Sequence, residues 1–312
     1  MLARRIVGRV VVYYLVSCLV LGICLGEMAF RLPRSAVADR RSFQATASRL
    51  GAEFQDVSVT ASDGVVLRAW FARPTSGNGD AVILLHGIGD SREGMTGFAE
   101  LFLSKGYEVL LPDLRAHGTS GGRYPTYGLK ETGDVHDWYQ WLVAQKDPAC
   151  VFGMGESIGA AIVLQAVETT PFCGVVAESP FASFRQIAYI RVGQMFHTGS
   201  WLGRIALRPA VELAFVYGRI TRHVDLSQIS PQNAVAGTSM PILLIHGLAD
   251  DNIPASQSEM IHSRNPGDVA LWEVPNAGHC GAVDAAGAEF DYRVLNWFSS
   301  HDTPRSHRSA LN

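Results

Sequence analysis

The stretch "GMGESIGA", residues 153–160, lies between the apolar segments "CVF" (150–152) and "AIVLQAV" (161–167). The first segment suits a buried strand and the second suits a buried helix, so the residues between them mark a strand-to-helix turn. Three of these eight residues are glycine, which indicates a backbone that turns tightly and is closely approached by its neighbours. From these residues alone, the turn either serves packing or presents Ser157 for chemistry.

Strand-length apolar segments alternate with helical segments along most of the chain. Residues 54–74 predict a hairpin of two strands around Ser62-Asp63-Gly64. Six further segments are short and nearly continuous in apolar character, as in parallel strands buried on both faces: 81–86, 107–112, 150–155, 173–178, 241–246 and 269–274. Helices are predicted over 94–105, 127–146, 158–169, 255–264 and 284–299. This alternation predicts an α/β fold with a mostly parallel central sheet of about eight strands and helices on both faces.

One segment between two predicted strands, residues 181–236, is far longer than an ordinary crossover. Arginines alternate there with aromatic and aliphatic residues. We interpret this segment as a short helical cap that covers one end of the sheet. The other predicted boundaries are a linker over 31–50, a folded domain over 51–300 and a polar tail over 301–312.

The first thirty residues predict a membrane anchor. Several arginines precede the uncharged run Val10–Leu25, which is about 24 Å of helix against a hydrocarbon core of roughly 30 Å. Residues 6–30 are long enough to cross if Arg9 extends toward the interface. A cleaved secretory signal ending near "AVA" (36–38), a lipoprotein signal at "LVSC" (15–18) and a buried helix are the alternatives. Arginines flank both ends, so charge determines the orientation only weakly, and we favour the non-cytoplasmic side for the folded domain.

Composition excludes several classes of protein. With 312 residues, 47% of them hydrophobic, the chain suits one large globular domain or at most two. The formal charge of −3 and the mixed signs do not suggest a nucleic-acid surface. Of five cysteines, two lie in the apolar N-terminal stretch, and the spacing of Cys150, Cys173 and Cys280 matches neither a disulfide framework nor a zinc site. We therefore expect buried or free thiols and no bound metal.

Residues 155–159 read G-x-S-x-G, in the strand–turn–helix context that a nucleophilic serine requires. A serine hydroxyl is a weak nucleophile, so it must be exposed, placed beside a base and faced by donors for a developing oxyanion. In this geometry Ser157 adopts a strained conformation, and the amide of Ile158 is one such donor at the helix N-terminus. The carboxylate of Glu156 has no assigned role.

On these residues and four further motifs, residues 52–300 resemble the α/β-hydrolase superfamily. "HGIGDS" (86–91) follows a predicted strand as the superfamily's oxyanion loop does, which implies that the amide of Ile88 is the second donor beside that of Ile158. The side chain of His86 is interpreted as an ordinary polar group at a strand end.

"DLRAHGTSGG" (113–122) is similar to the D-x-R-G-H-G-x-S stretch common in this superfamily, with Ala116 in place of the usual glycine. We expect Asp113, Arg115 and His117 to organise loops rather than to take part in catalysis.

The resemblance also implies an acid and a base downstream of the serine. "LLIHGLADDNIP" (243–254) looks like the superfamily's H-G-x-x-D-x-x-V-P, which places the acid at Asp250 and leaves Asp251 as an exposed neighbour. "NAGHCG" (276–281) lies where the superfamily carries its base, which implies His279. The other downstream histidines that we considered fall in a predicted helix or in the polar tail: His262, His301 and His307.

These assignments predict a serine hydrolase that cleaves an ester, thioester or amide through an acyl-enzyme on Ser157, with esterase or lipase-like chemistry favoured. The resemblance is to small-capped members that include serine-aminopeptidase-like and membrane-associated acyl hydrolases, so a peptidase is one alternative. A catalytically silent hydrolase fold used for binding is another. The expected partners are a small-molecule or lipid-like acyl substrate and the membrane, with no cofactor and no nucleic acid.

Overall fold

The computed structural model describes residues 2–31 and 37–302. Residues 32–36 of the predicted linker and 303–312 of the predicted tail, with His307, lie outside the described residues, as does the start of the "AVA" sequence at residue 36.

An eight-stranded sheet forms the centre of the fold. Its strands are β1 (Ala52–Thr60), β2 (Val66–Pro74), β3 (Ala81–Leu85), β4 (Glu108–Pro112), β5 (Val151–Glu156), β6 (Val175–Glu178), β7 (Ile242–Gly247) and β8 (Val269–Val274). They lie in the order β1-β2-β4-β3-β5-β6-β7-β8. β1 and β2 form the predicted antiparallel hairpin, β2 pairs antiparallel with β4, and the neighbouring strands from β4 to β8 are parallel. The predicted α/β fold is confirmed.

Helices connect these strands. In chain order they are α1 (Leu2–Phe30), α2 (Arg40–Arg49), α3 (Thr96–Ser104), α4 (Glu131–Lys146), α5 (Ile158–Ala166), α6 (Phe184–Met195), α7 (Arg208–Arg222), α8 (Pro231–Ala234), α9 (Ser256–His262), α10 (Ala282–Ala286) and α11 (Ala288–Ser300). The segment predicted as one helix over 284–299 is two helices, because Gly287 adopts φ +54° between α10 and α11.

Helices cover both faces of the sheet. Successive residues of a strand point to opposite faces, so Leu67 and Phe71 of β2 pack in one apolar cluster while Trp70 packs in another. Residues of α4 and α5 complete the first cluster, and residues of α2, α3 and α11 complete the second. A sheet buried on both faces explains why its central strands are nearly continuous in apolar character.

Part of the predicted linker, residues 31–50, is a helix. α2 begins after Asp39, whose carboxylate accepts a hydrogen bond from the amide of Arg41 at 3.0 Å. Phe43 is buried, and its ring stacks on Trp70 of β2 with 5.4 Å between ring centroids. α2 is therefore part of the core rather than a tether.

The expectation of free thiols was wrong for two of the cysteines. Cys150 and Cys173 form a disulfide, which ties the residues just before β5 and β6. The two strands are parallel neighbours, so their amino ends meet although 23 residues separate the cysteines in sequence. Cys18, Cys24 and Cys280 are free thiols, as expected.

The described chain divides into two compact units. The sheet unit contains residues 37–182 and 230–302, with all eight strands. The helical unit contains residues 2–31 and an insertion, residues 183–229, which is narrower than the predicted cap over 181–236. Within the helical unit, α1 packs along α7 of the insertion. α1 is 29 residues long and apolar enough to be a candidate membrane span.

Candidate active site

The serine turn lies where β5 passes into α5. Ser157 adopts φ +53° and ψ −113°, a region that residues other than glycine rarely occupy. Its amide donates a hydrogen bond to the carbonyl of Glu178 on β6 at 2.9 Å. Two glycines make the turn possible, because a Cβ on Gly155 would lie 2.4 Å from the carbonyl of Gly159, and one on Gly159 would lie 2.2 Å from the carbonyl of Leu85. The glycines thus permit the close packing that the strained serine needs.

The three residues predicted from separate motifs meet at this turn. His279 Nε2 lies 2.9 Å from Ser157 Oγ, and His279 Nδ1 lies 2.8 Å from Asp250 Oδ2. With the proton on Nδ1, His279 donates to Asp250 and accepts the hydroxyl proton of Ser157. The side chain of Asp250 is fully buried, while that of His279 is partly exposed. The arrangement allows proton transfer from the hydroxyl to the imidazole.

The carboxylate of Asp250 is fixed by its own loop. Its Oδ1 accepts hydrogen bonds from the amides of Asn252 at 2.9 Å and Ile253 at 2.8 Å. Burial by itself raises the pKa of Asp250, but the contacts with His246 and His279 and the amide of Ile253 outweigh it, so the pKa lies well below its usual range. Asp250 is therefore ionised at neutral pH.

His246 of β7 supports this loop, a role that the sequence analysis did not assign. Its Nε2 lies 2.7 Å from the carbonyl of Ile253, so it must donate there, and its Nδ1 then accepts from the hydroxyl of Ser258 at 2.6 Å. The same Nε2 lies 3.4 Å from Asp250 Oδ2. Its place in the H-G motif four residues before the acid was the available signal.

The two expected oxyanion donors belong to segments next to the serine turn. Ile158 is the first residue of α5, so its amide has no acceptor within the helix. Ile88 follows β3 in a loop whose neighbouring residue, Gly87, approaches Ser157 closely: a Cβ on Gly87 would lie 3.7 Å from that of Ser157. Both segments therefore lie close to Ser157, and the role of the two amides as oxyanion donors stays a prediction.

The side chain of His86 connects two loops of the site, whereas we expected an ordinary polar group at a strand end. Its Nε2 accepts from the amide of Leu114 at 3.1 Å, and its Nδ1 donates to the carbonyl of Gly87 at 2.7 Å. Burial lowers the pKa of His86 to about 4, which keeps this tautomer neutral.

Asp113 and Arg115 organise loops, as expected. Asp113 accepts hydrogen bonds from the amide of Arg92 at 2.9 Å and its guanidinium at 2.7 Å, and from the amide of Thr119 at 2.7 Å. Arg115 joins Asp134 of α4 to Asp63 of the β1–β2 turn.

The ring of His117 lies in the same region of the loop. It stacks edge-on against His86, with 5.2 Å between ring centroids. Its Nδ1 lies 3.0 Å from the carbonyl of Arg115. These contacts fit the loop-organising role expected of His117.

Two glutamates lie on neighbouring strands, one next to the serine and the other beside the loop of the histidine. Glu156 and Glu178 are register partners on β5 and β6, and burial raises their pKa values to about 8 and about 7. Glu178 Oε1 accepts from the amide of Ala282 at 2.9 Å, three residues after His279. The sequence motifs assign no role to Glu156 and do not include Glu178, although an acidic residue that ends an apolar strand is a signal.

One group of potential metal ligands comes together within the described residues: Asp80, Cys150 and Asp302. The sulfur of Cys150 is in the disulfide and is not a thiolate that could bind a metal. These residues lie at the amino ends of the strands, away from Ser157.

Ser157, Asp250 and His279 all follow carboxyl ends of parallel strands, the edge at which open α/β sheets bind ligands. The family model of the alpha/beta hydrolase family matches residues 82–291, more than half of the chain. The chain belongs to the alpha/beta hydrolase family. The protein is accordingly a hydrolase.

Proteins similar to this hydrolase include enzymes and proteins whose structures have been solved. It is 33% identical over 234 residues to the thermostable monoacylglycerol lipase of Bacillus sp. (strain H-257), with 70% of this chain and 90% of the lipase covered. It is 29% identical over 205 residues to the uncharacterized protein YqkD of Bacillus subtilis (strain 168), with 64% of this chain and 65% of that relative covered. The Pyrococcus furiosus esterase Pf2001 has a TM-score of 0.70 at 26% identity, with 88% of this chain and 100% of the esterase covered.

Proposed function

We propose that this protein is a membrane-anchored serine hydrolase that cleaves carboxylic esters through an acyl-enzyme on Ser157. The observation that carries the proposal is the continuous hydrogen-bonded series from Ser157 Oγ through the ring of His279 to Asp250. A serine, a base and an orienting carboxylate in this order supply what nucleophilic acyl transfer requires.

His279 Nε2 takes the proton of Ser157 as Oγ attacks the ester carbonyl. The buried carboxylate of Asp250 holds the imidazole in the required tautomer and stabilises the imidazolium. The same proton then passes to the departing alcohol, which leaves Ser157 acylated. Water then attacks the acyl carbon while His279 Nε2 takes a proton from it. The bond from the acyl carbon to Oγ breaks, His279 returns the proton to Oγ, and the carboxylic acid leaves the free serine.

The developing oxyanion is stabilised by the amides of Ile88 and Ile158. Because Ile158 begins α5, the partial positive charge of the helix N-terminus adds to its hydrogen bond. Loss of one such donor lowers the rate by about 10²–10³-fold. Since the donors are backbone groups, substitutions that move the loop at Ile88 are the way to weaken them.

An ester of a fatty acyl chain is the favoured substrate class. The similarity to a monoacylglycerol lipase and to an esterase supports ester chemistry, and α1 would keep the enzyme at a membrane where acyl lipids are concentrated. The thioester and the amide use the same attack and the same oxyanion. A chain-length series of esters, thioesters and amides on the full chain in vesicles ranks the three classes by kcat/KM.

The exported side of the membrane is the proposed location of the sheet unit. The Cys150–Cys173 disulfide supports this side, because disulfides form and persist in oxidising compartments and are rare in the cytosol.

A fluorophosphonate probe tests the nucleophile directly. We expect the folded chain to be labelled at Ser157 and Ser157→Ala to be unlabelled, with ester hydrolysis reduced on the order of 10⁴-fold or more. Ser104→Ala is the control, since Ser104 is exposed at the end of α3, whereas Ser179 is unsuitable because its hydroxyl accepts a hydrogen bond from the amide of Cys280, next to His279. Undiminished labelling of Ser157→Ala, or none of the native chain, would mean that the fold serves binding rather than catalysis.

A further inference from the structure

Outside α1, exposed apolar side chains are concentrated in the insertion, residues 183–229. Six large hydrophobic residues are exposed there: Met195, Phe196, Trp201, Ile205, Val216 and Ile220. The described residues of the sheet unit are far more numerous and expose the same number. Trp201 and Ile205 are spaced by four residues, as are Val216 and Ile220, so each pair lies on one side of its helical turn. A surface of this kind marks a site for a protein or a membrane.

The insertion is packed directly on α1. Gly22 and Gly26 allow the close approach, because a Cβ on Gly22 would lie 2.7 Å from Leu213 Cβ and one on Gly26 would lie 2.6 Å from the ring of Tyr217. The ring of Phe30 lies against Gly218. α7 therefore follows the second half of α1 in the same direction.

Polar contacts hold both ends of this helix pair. The hydroxyl of Tyr14 donates to the carbonyl of Ala206 at 2.6 Å. At the other end, Glu27 accepts from the hydroxyl of Tyr217 and from the guanidinium of Arg222, the latter at 2.8 Å. Tyr14 lies inside the uncharged run Val10–Leu25, so the start of α7 lies beside the part of α1 that lipid would surround.

The charge of the chain is divided unequally between the two units. Residues 1–32 and 183–229 contain ten of the 26 Lys and Arg residues but only three of the 29 Asp and Glu residues, which gives them +7 and the rest of the chain −10. Arg204 and Arg208 are exposed, and no ion pair with either is found among the described residues. They flank Ile205, one of the most exposed apolar side chains of the insertion.

We propose that the insertion is a membrane-contacting platform: its exposed apolar side chains enter the bilayer that holds α1, and Arg204 and Arg208, on either side of the contact between Ala206 and Tyr14, extend toward the headgroup layer at the amino end of α1 and bind anionic lipid there. An α1 helix in the membrane necessarily brings α7 to the bilayer. Apolar side chains beside arginines are the composition of an interfacial surface, where long cationic side chains reach the headgroups. The inference rests on the anchor part of the proposed function and is independent of the catalytic part.

Nitroxide labels on the full chain in vesicles test this platform. The labelled variants are Ile205→Cys and Ile220→Cys in the insertion, Val12→Cys in α1, and Tyr292→Cys in α11 as the matched control. Ile220 and Tyr292 are equally exposed, at 69% and 68%. The native free thiols are removed in all of them by Cys18→Ala, Cys24→Ala and Cys280→Ala. Oxygen, which concentrates in lipid, and a nickel chelate, which stays in water, report the surroundings of each label.

We expect the labels at 205, 220 and 12 to be reached severalfold better by oxygen than by nickel, and the label at 292 to show the reverse. Vesicles containing phosphatidylglycerol should strengthen the oxygen preference at 205 compared with phosphatidylcholine alone, and Arg204→Gln with Arg208→Gln should remove that difference.

Three results would overturn the platform. In the first, the labels at 205 and 220 behave like the one at 292 while the label at 12 is in lipid. In the second, both insertion labels are shielded from both reagents, which would indicate a second copy of the chain. In the third, the label at 12 is also in water, so that the anchor itself fails, while fluorophosphonate labelling of Ser157 still decides the catalytic proposal.

Discussion

Asp250 and Asp251 are adjacent in sequence but have different surroundings. The carboxylate of Asp250 is buried against His279 and two amides, whereas Asp251 is exposed. Asp250→Asn should lower kcat by about 10⁴-fold with little change in KM, because the amide no longer holds the reactive tautomer of His279.

Asp251→Asn is the control for this prediction and should retain activity close to that of the native chain. Steady-state kinetics of the two variants, with unfolding curves to show that both fold, decide the assignment. The reverse outcome, with activity lost only in Asp251→Asn, would move the acid by one residue.

Glu156 makes the stability of the sheet unit depend on pH. Its pKa in the folded chain is raised to about 8, so the folded state keeps the proton longer than the unfolded state. The stability gained from the neutral acid is present below the ordinary pKa and is lost as the pH rises toward about 8. Between pH 5 and pH 9, the free energy of unfolding of the native chain should therefore fall by at least about 1 kcal/mol more than that of Glu156→Gln.

Denaturant unfolding at the two pH values measures this difference. Glu168→Gln, at an exposed position of the sheet unit, is the matched control and should change little. Equal pH slopes for Glu156→Gln and the native chain would show that Glu156 does not titrate as a buried acid.

At the scale of residues, the chemistry of the site was more predictable than its support. Ser157, Asp250 and His279 could be predicted as a group because each lies on a short motif after its own strand. The structure brings the three side chains together, and their catalytic roles stay a prediction. His246 was missed although it contacts its own loop and stands in the H-G motif before the acid. Glu178 was missed because its contact depends on which strands are neighbours, and only the sheet order brings it beside the loop of His279. No motif in the sequence contains that information.

At the scale of elements, α2 is a helix that the sequence did not predict. Its exposed residues are mostly polar or charged, so the segment reads as a linker, yet Phe43 and Ala47 are spaced by one helical turn and are buried. The partner of Phe43 is Trp70, a residue of a distant strand. Helical periodicity in ten residues is too weak a signal without that partner.

Phe43→Ala measures what α2 contributes. We expect a loss of about 3–5 kcal/mol in the free energy of unfolding, because a buried aromatic ring is removed and a cavity is left. Gln44→Ala, one residue away on the exposed side of α2, should change it by less than about 0.5 kcal/mol. If the two variants were equally stable, α2 would be the tether that its composition suggests.

At the scale of the whole molecule, the disulfide connects stability to compartment. In the Cys150→Ser, Cys173→Ser double variant, the free energy of unfolding should fall by about 3 kcal/mol, as expected when a loop of this length is no longer closed by a disulfide. Cys24→Ser, which removes an exposed free thiol, should lose nothing measurable. Alkylation before and after reduction, on protein recovered from its native membrane, counts the protected thiols. Two additional reactive thiols before reduction would contradict the bond and the exported location that it supports.

The docking of α1 on α7 bears on how the chain matures after synthesis. A leader that signal peptidase removes leaves no surface behind it, whereas removal of α1 here would uncover Leu213, Tyr217 and Gly218 and would strip Arg222 of the carboxylate of Glu27. The N-terminal helix is thus half of a folded interface, and the insertion has its complete partner only if the segment is retained. Soluble production of this enzyme should therefore keep the face of α1 that packs on α7 and replace its exposed apolar side chains, rather than delete the helix.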